Sequence, residues 1–305
     1  MSDTLEASSP PPRARHRRSS TLTPISPRRR ITNGVMVGLM WLAVILAAIP
    51  LVLVVEYTIA QGIRGLHPGF FSQTLEGLGP LDSGGGAYHA IIGTLEQVGI
   101  ATLISVPIGI LVAIDLTEYN RGMFSNAIRY FVDVMTGLPS IVAGLFIFTF
   151  WVVGLGQGFS GFAAALALSV LMLPIVVRST EEMLKLVSDE LRESSLALGV
   201  PKWRTIVSVV LPTASAGIVT GVMLAVARVM GETAPLLMTA FGTQALNTDP
   251  FKGAQSSLPL FVFQQASSAF QVNVQRAWAG ALTLILVVIL LNVAARLLAS
   301  RSKVS

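Results

Sequence analysis

The sequence predicts an all-α integral membrane protein, a bundle of six transmembrane helices with both termini on the cytoplasmic side. Hydrophobic residues make up 52% of the 305 positions and charged residues only 12%, and the mean hydropathy is +0.70, unlike a soluble domain. Apolar runs of about 20 residues, the length that crosses a bilayer core as a helix, recur along the chain. They do not alternate as barrel strands do, and only helices and closed barrels satisfy their backbone hydrogen bonds in lipid.

Six apolar runs define the predicted spans and the domain organisation. Residues 1–34 are rich in Pro, Ser and Arg, so we expect a disordered basic cytoplasmic tail there. Residues 35–298 form one transmembrane domain, and residues 299–305 form a second cytoplasmic tail. The spans cover residues 35–59, 90–114, 134–153, 159–177, 214–237 and 277–298.

The basic residues predict the orientation in the membrane. With both termini in the cytoplasm, seventeen of the 21 lysines and arginines lie inside, Arg228 lies within a span, and only Arg64, Lys252 and Arg276 lie outside. The net charge of +5 therefore reflects orientation, and no nucleic-acid partner is expected, because most of the basic residues do not lie on a folded face. The chain has no cysteine and three scattered histidines, so no metal site is expected either.

Two nearly uncharged outer loops contain Gly, Ser and Pro residues. They cover residues 60–89, with a Gly-rich stretch at Ser83 to Gly86 that we expect to be flexible, and residues 241–276. We expect either ordinary connecting loops or surfaces that pack on a soluble partner outside.

The one long inner loop, residues 178–212, predicts an amphipathic helix in the cytoplasm. Apolar residues recur there at spacings of three and four, which places a largely apolar stripe on one helix face. Gly199 and Pro201 end this helix, and a second helix starts at Lys202 and leads into the fifth span. Such a stripe is covered either by its own bundle or by a groove on a partner. The stripe consists of Leu184, Val187, Leu191, Ser194 and Leu198.

The same loop resembles the inner-membrane permeases of ATP-binding-cassette importers. In that family Glu-Ala-Ala is followed at fixed spacings by Gly, an aliphatic residue and Leu-Pro. Serine replaces both alanines here and valine replaces the common isoleucine, which leaves the helical stripe intact. The resemblance implies the type I importer permease fold, and a coupling helix that includes Leu191 and Leu198 and docks in a cleft of an ATPase subunit. The matching residues are Glu193, Ser194, Ser195, Gly199, Val209, Leu211 and Pro212.

A nucleotide-binding loop is missing from the sequence. No lysine follows a glycine, so the GxxxxGK[ST] phosphate loop is absent. We therefore expect no enzymatic activity and no cofactor in this chain, with ATP and Mg²⁺ bound on partner ATPase subunits. The resemblance implies four kinds of component in the bacterial plasma membrane system: this permease, a second homologous permease, two ATPase subunits and an external solute-binding protein.

Arg228 and Glu232 are the only charged residues between Pro212 and Asp249. A charge at bilayer depth costs at least about 2.5 kcal/mol, and such residues mostly face a bundle interior or a water-filled path. Arg228 lies about 22 Å along the helix from Thr213 at 1.5 Å per residue, and the four-residue spacing puts both side chains on one face. Since the guanidinium fork suits oxyanions, the pair predicts a substrate pathway. The alternatives are that the pair only pins the fifth helix to a neighbour, or that Glu232 is protonated.

Three further stretches resemble the PstA-type permeases of the phosphate-specific transport system. They read RxxGETAPL from Arg228, GTLEQVGIATLISVPIGILVAI in the second span and GLPSIVAGLF from Gly137. The resemblance covers about residues 35–298 and implies an importer of inorganic phosphate that works by alternating access. An ionised Glu232 would then accept a hydrogen bond from the proton that phosphate keeps near neutral pH and sulfate lacks. The alternatives are a permease for sulfate, molybdate or another solute, and a secondary phosphate carrier, which would need coupling-ion ligands and two related halves.

Overall fold

The structure is a computed structural model that describes residues 26–79, 81–119 and 122–301. The described residues form eleven α-helices, and α2, α4 and α7 each continue into a short π-helical segment: Asp115–Tyr119, Phe148–Gly154 and Ile206–Val210. The α-helices are α1 Pro27–Gly65, α2 Tyr88–Ile114, α3 Met123–Thr136, α4 Ser140–Ile147, α5 Gly161–Lys185, α6 Asp189–Ala197, α7 Lys202–Thr205, α8 Leu211–Met230, α9 Ala234–Thr239, α10 Leu258–Ala266 and α11 Gln271–Arg301.

Two compact units divide the chain, one up to Val54 and one from Val55 onward. In the first unit the apolar side chains of α1 are exposed, as those of a helix in contact with lipid are; Trp41, for example, is 65% exposed. The prediction of a disordered tail over residues 1–34 is wrong for its last part, because α1 begins at Pro27. Proline favours the first turn of a helix, where its missing N–H is not needed. Residues 1–25 of that predicted tail lie outside the described residues, as do residues 302–305 of the second tail, whose first part is helical.

Helix α5 is the centre of the second unit, and α2 and α8 pack on it through small residues. A Cβ atom on Gly109 of α2 would lie 2.7 Å from the Val176 side chain of α5, and one on Gly221 of α8 would lie 2.5 Å from Ser179 Oγ. Gly217, one turn before Gly221, has the same close approach, so α8 meets α5 along a Gly-x-x-x-Gly surface. Such surfaces let membrane helices approach each other closely.

Five helical stretches are long and apolar enough to cross a membrane, and α3 with α4 makes a sixth if this bent pair is one span. The prediction of an all-helical membrane protein is thus confirmed, with six spans if the bent pair counts as one, but the third predicted span, 134–153, is not one continuous helix. The axes of α3 and α4 differ by 104°. Pro139 explains the break, because it lacks a backbone N–H and disfavours helical dihedral angles at Leu138.

The fifth predicted span, 214–237, is also interrupted. Helix α8 ends at Met230 and α9 begins at Ala234, since Gly231 weakens the helix and Pro235 cannot donate a hydrogen bond to the preceding turn. The prolines at positions 50, 107 and 174 lie inside continuous helices instead. The fourth span continues past residue 177 to Lys185, so the first part of the inner loop belongs to α5. The spans 90–114 and 277–298 lie within α2 and α11.

The predicted outer loops are ordered and packed on the bundle. Gln255 is 1% exposed; its Nε2 donates to Glu96 Oε2 at 2.5 Å, and its Oε1 accepts from Gln97 Nε2 at 3.0 Å. The segment that follows forms α10, which is too short for an apolar-run search to detect. In the other loop, Arg276 Nε donates to Gly84 O at 3.0 Å, so a side chain of α11 contacts the stretch from Ser83 to Gly86 for which flexibility was expected.

Candidate functional site

Arg228 and Glu232 lie on either side of the end of helix α8. Arg228 is in its last turn, Gly231 is the residue that caps its end, and Glu232 falls in the break before α9. The Glu232 amide still donates to Val229 O at 3.2 Å, so the backbone keeps a helical turn up to the carboxylate. The two side chains therefore stay within reach of each other although the regular helix has ended.

The ion pair between Arg228 and Glu232 is loose. The Nε–Oε1 distance is 4.0 Å, and the side chains are 63% and 22% exposed. Among the described residues, Glu232 is the only acidic partner that Arg228 reaches. Within residues 26–79, 81–119 and 122–301, this exposed guanidinium does not pin α8 to another helix. It is open to water, a ligand or a second subunit.

The helix that follows the break at Glu232 packs against the helix that follows the break at Pro139. Helices α4 and α9 pack side by side, and a Cβ atom on Gly144 would lie only 2.5 Å from Pro235 Cα. Gly144 is in the second turn of α4 and Pro235 in the first turn of α9. The position of Glu232 is thus set by a backbone contact between two interrupted helices.

Helix α8 has one open face and one buried face. Thr213, Thr220, Leu224 and Arg228 are exposed on one side, whereas Ile218, Gly221, Val222 and Ala225 are buried. The exposed positions follow at spacings of seven, four and four residues, so they share a face. Part of this face is polar, and it leads along the helix to the guanidinium.

Helix α6 contains most of the predicted coupling motif. Leu191, Glu193, Ser194 and Ser195 lie on it, Leu198 is its C-terminal cap, and Gly199 follows in the left-handed conformation with φ of 79°. Leu198 is 84% exposed and Leu191 46%. Ser195, one of the serines that replace alanine, is buried, and its Oγ lies 2.9 Å from Thr205 Oγ1 of α7. Leu211 and Pro212 begin α8, so the motif spans α6 to α8.

The predicted stripe from Leu184 to Leu198 does not lie on one helix. Leu184 belongs to α5 and is buried, and Val187 lies in the turn before α6 and is 5% exposed. The first half of the stripe is thus covered by its own bundle, whereas Leu191 and Leu198 are exposed, and their cover by a partner stays a prediction. Ser188 is the sequence signal for the break, because serine before Asp-Glu is typical of a helix N-terminus.

Acidic residues at the same end of the bundle form ion pairs with arginine and lysine side chains. Glu181 accepts from Arg129 at 2.8 Å and from Lys185 at 2.7 Å, and Asp133 accepts from Arg178 at 2.6 Å. Glu118 accepts from Arg192 of α6 at 3.0 Å. Glu118 and Arg192 are 74 positions apart in the sequence, so no local sequence pattern predicts that they pair.

The sequence is similar to a known family over most of its length. Residues 105–304 match the family described as "Binding-protein-dependent transport system inner membrane component". A "Phosphate transport system permease protein PstA 1" of Mycobacterium tuberculosis (strain CDC 1551 / Oshkosh) is 46% identical over 90% of this chain and 91% of its own length. The PstA of Mycobacterium leprae is 44% identical over 92% and 93% of the two chains, and that of Xylella fastidiosa (strain Temecula1 / ATCC 700964) is 40% identical over 91% and 96%.

Solved structures share the fold at low sequence identity. A chain of a bacterial alginate ABC transporter, crystallised in complex with a pentasaccharide-bound periplasmic protein, matches with a TM-score of 0.66 and 12% identity, covering 90% of this chain and 96% of that one. A chain of the methionine ABC transporter MetNI, in an inward-facing conformation, matches with a TM-score of 0.55 and 19% identity over 71% and 94% of the two chains. These likenesses confirm the predicted permease fold, and the cytoplasmic position of both termini stays a prediction.

Proposed function

The chain belongs to the binding-protein-dependent transport system inner membrane components, and among them to the PstA permeases, and we propose that it is the transmembrane subunit of an importer that moves inorganic phosphate across the bacterial inner membrane. Curated relatives that cover nine-tenths of this chain are named as phosphate transport permeases. The observation that best supports a mechanism is the loose Arg228–Glu232 pair at the end of the open face of α8.

Arg228 is the proposed contact for the phosphate charge. Its guanidinium presents several N–H donors in one plane, which matches two oxygens of a tetrahedral oxyanion. Since its pair with Glu232 is 4.0 Å long, an anion that approaches along the open face has no short ion pair to break. In the empty state the carboxylate keeps the site close to neutral, which lowers the cost of a charge in the span.

Glu232 is the proposed residue that distinguishes phosphate from sulfate. Phosphate retains an acidic proton near neutral pH and donates it in a hydrogen bond to an ionised carboxylate, whereas sulfate only repels that carboxylate. A site built around a hydrogen bond rejects analogues that lack the donor, because a buried polar group is then left without a partner. Permeation of sulfate or molybdate is therefore the alternative that Glu232 variants test.

Transport is proposed to be driven from other chains. Two ATPase subunits bind ATP and Mg²⁺, and one of them receives the exposed Leu191 and Leu198 of α6 in a surface groove. A second homologous permease covers the open face of α8, and an external binding protein delivers phosphate to the opposite end. With the termini and α6 in the cytoplasm, closure of the ATPases moves α6 and alternates the bundle between outward and inward openings.

Uptake of radioactive phosphate by cells that depend on this permease tests the proposal. Loss of a hydrogen bond to a charged group costs about 1.5–3 kcal/mol, so Arg228→Gln should lower uptake by roughly 10- to 150-fold. Glu232→Gln should lower uptake less and let sulfate compete. Arg64→Gln removes an exposed arginine elsewhere and should leave uptake unchanged. Parental uptake by Arg228→Gln, at equal membrane levels and with the ATPases attached, would remove the pair from the path.

A further inference from the structure

Cations from three separate elements hold the π-helical end of α2, residues Asp115–Tyr119. Arg129 of α3 donates to Leu116 O at 2.7 Å, and Lys202 of α7 donates to Glu118 O and lies 4.9 Å over the Tyr119 ring. Arg192 of the coupling helix bonds the Glu118 carboxylate. The inner end of α2 is therefore attached to the coupling segment by its side chain and by its backbone.

Arg192 makes the densest set of contacts in this region. Its Nε and NH2 groups both donate to Glu118 Oε1, at 3.1 and 3.0 Å. NH2 also donates to Leu184 O at 2.8 Å, and NH1 donates to Val187 O. Leu184 lies in the last turn of α5 and Val187 two residues beyond its end, where the last carbonyls of a helix lack regular i to i+4 hydrogen bonds. One guanidinium thus joins α6 to the end of α5 and to the end of α2.

The two carboxylates that Arg192 meets have very different surroundings. The Glu118 side chain is 8% exposed and the Arg192 side chain 16% exposed, whereas Asp189, at 3.1 Å from NH1, is 87% exposed. Exposed ion pairs contribute little, and a pair shielded from water contributes more when its hydrogen bonds are satisfied. The shielded contact is the one that crosses between elements.

Helices α6 and α2 are not joined by apolar packing in addition to these charged contacts. Leu116 and Leu196 line an open cavity of about 410 Å³ beside Arg192, so the side chains of α6 do not fill the space next to α2. Leu191 and Leu198 do not pack in the core that the described residues form, because both side chains are exposed. A displacement of α6 therefore reaches α2 chiefly through the charged contacts.

We propose that Glu118 and Arg192 form a joint that transmits movement of the coupling helix to α2 and α5. This inference rests on the proposed function, because it assigns the step between ATPase closure and reorientation of the bundle. Both are positioning residues that touch neither phosphate nor nucleotide. Helix α2 packs along α5 and reaches Gln255 at the opposite end through Gln97, so movement at the joint extends along the bundle.

The test is the number of phosphates taken up per ATP hydrolysed by the complete transporter in proteoliposomes supplied with the binding protein. Glu118→Ala cuts the link to α2 but leaves Arg192 on the α5 carbonyls, and Arg192→Lys keeps the charge but loses the planar fork. Both should lower the ratio by roughly threefold or more, as changes in coupling networks do, while the ATPases still co-purify. Asp189→Ala removes the exposed partner of the same guanidinium and should keep the parental ratio.

The proposal is refuted if Glu118→Ala keeps the parental ratio of phosphate taken up per ATP hydrolysed. It is also refuted if Asp189→Ala lowers that ratio as much as Glu118→Ala does. If Glu118→Ala does not reach the membrane, Glu118→Gln keeps the side-chain volume and removes the charge; a parental ratio there also overturns the joint. Absence of phosphate uptake in the parental complex would instead refute the proposed function. The two failures are therefore distinguishable.

Discussion

The contact between Gly144 and Pro235 predicts a strong effect of a single methyl group on transport. A Cβ atom on Gly144 would lie 2.5 Å from Pro235 Cα and 3.1 Å from Pro235 O. Carbon atoms in contact are about 3.5–4.0 Å apart, so Gly144→Ala must move α9 away from α4 by roughly 1 Å. Both atoms belong to the backbone, and no side-chain rotation relieves the clash.

The expected loss of transport exceeds the loss of stability. Overpacking costs about 1–3 kcal/mol, and alanine recovers up to about 1 kcal/mol over glycine inside a helix. Glu232 lies three residues before Pro235, so the shift of α9 also changes the distance between Glu232 and Arg228. Misplacement by 1 Å lowers rates by up to about 100-fold, and we expect phosphate uptake to fall by roughly 10- to 100-fold.

Phosphate uptake and thermal unfolding of the purified complex are the two measurements. Gly99→Ala is the matched control, because a Cβ atom on Gly99 of α2 has no heavy atom within 4 Å; it should leave both unchanged. Uptake of Gly144→Ala at the parental rate would show that α9 accommodates the methyl group, or that the position of Glu232 does not matter for transport.

Three further predictions concern coupling, the outer loop and helix packing. Leu198→Asp places a charge on an 84% exposed leucine and should release the ATPases from the purified permease without loss of its membrane level; retained ATPases would contradict docking at α6. Arg276→Gln removes the donors to Gly84 O, so the loop should become cleavable by an external protease in spheroplasts, whereas resistance would show that other contacts hold it. Gly221→Leu directs a large side chain at Ser179 Oγ, 2.5 Å from the first added atom, and should lower thermal stability by about 1–3 kcal/mol in heat-unfolding assays; equal stability would show that α8 and α5 separate without cost.

Much of the site was readable from local sequence. A charged pair in an otherwise uncharged stretch marks Arg228 and Glu232, and their spacing predicts a shared face. The structure puts Glu232 just beyond the helix, where Gly231 and Pro235 interrupt it, and local residue chemistry accounts for that break. The exposure of Arg228 depends on which helices cover α8, which no local pattern records.

Other features depended on contacts between distant residues. Glu118 and Arg192 are 74 positions apart, and Gln255 meets Glu96 across 159 positions. Hydropathy does not reveal such pairs, because a polar residue near the end of a span has the same hydropathy whether its side chain faces water or a partner residue. The prediction of a single helical stripe in the inner loop was wrong for a similar reason. The three- and four-residue spacing of apolar residues continues across the turn at Ser188, so the spacing alone does not show that the helix ends there.

Hydrophobic length and charge distribution determined by themselves that this chain crosses a membrane as a helical bundle, and the spacing of the coupling motif determined the family. These properties follow from the solvent that each segment prefers and from local helix geometry, and consecutive residues determine both. Only the tertiary structure decided that α4 and α9, which follow the breaks in two spans, pack side by side at Gly144 and Pro235, that the loops at both ends pack on the helices, and that Arg192 joins three helices. Those outcomes depend on steric fit and ion pairing between residues far apart in the chain, and so they arise only when the helices are assembled.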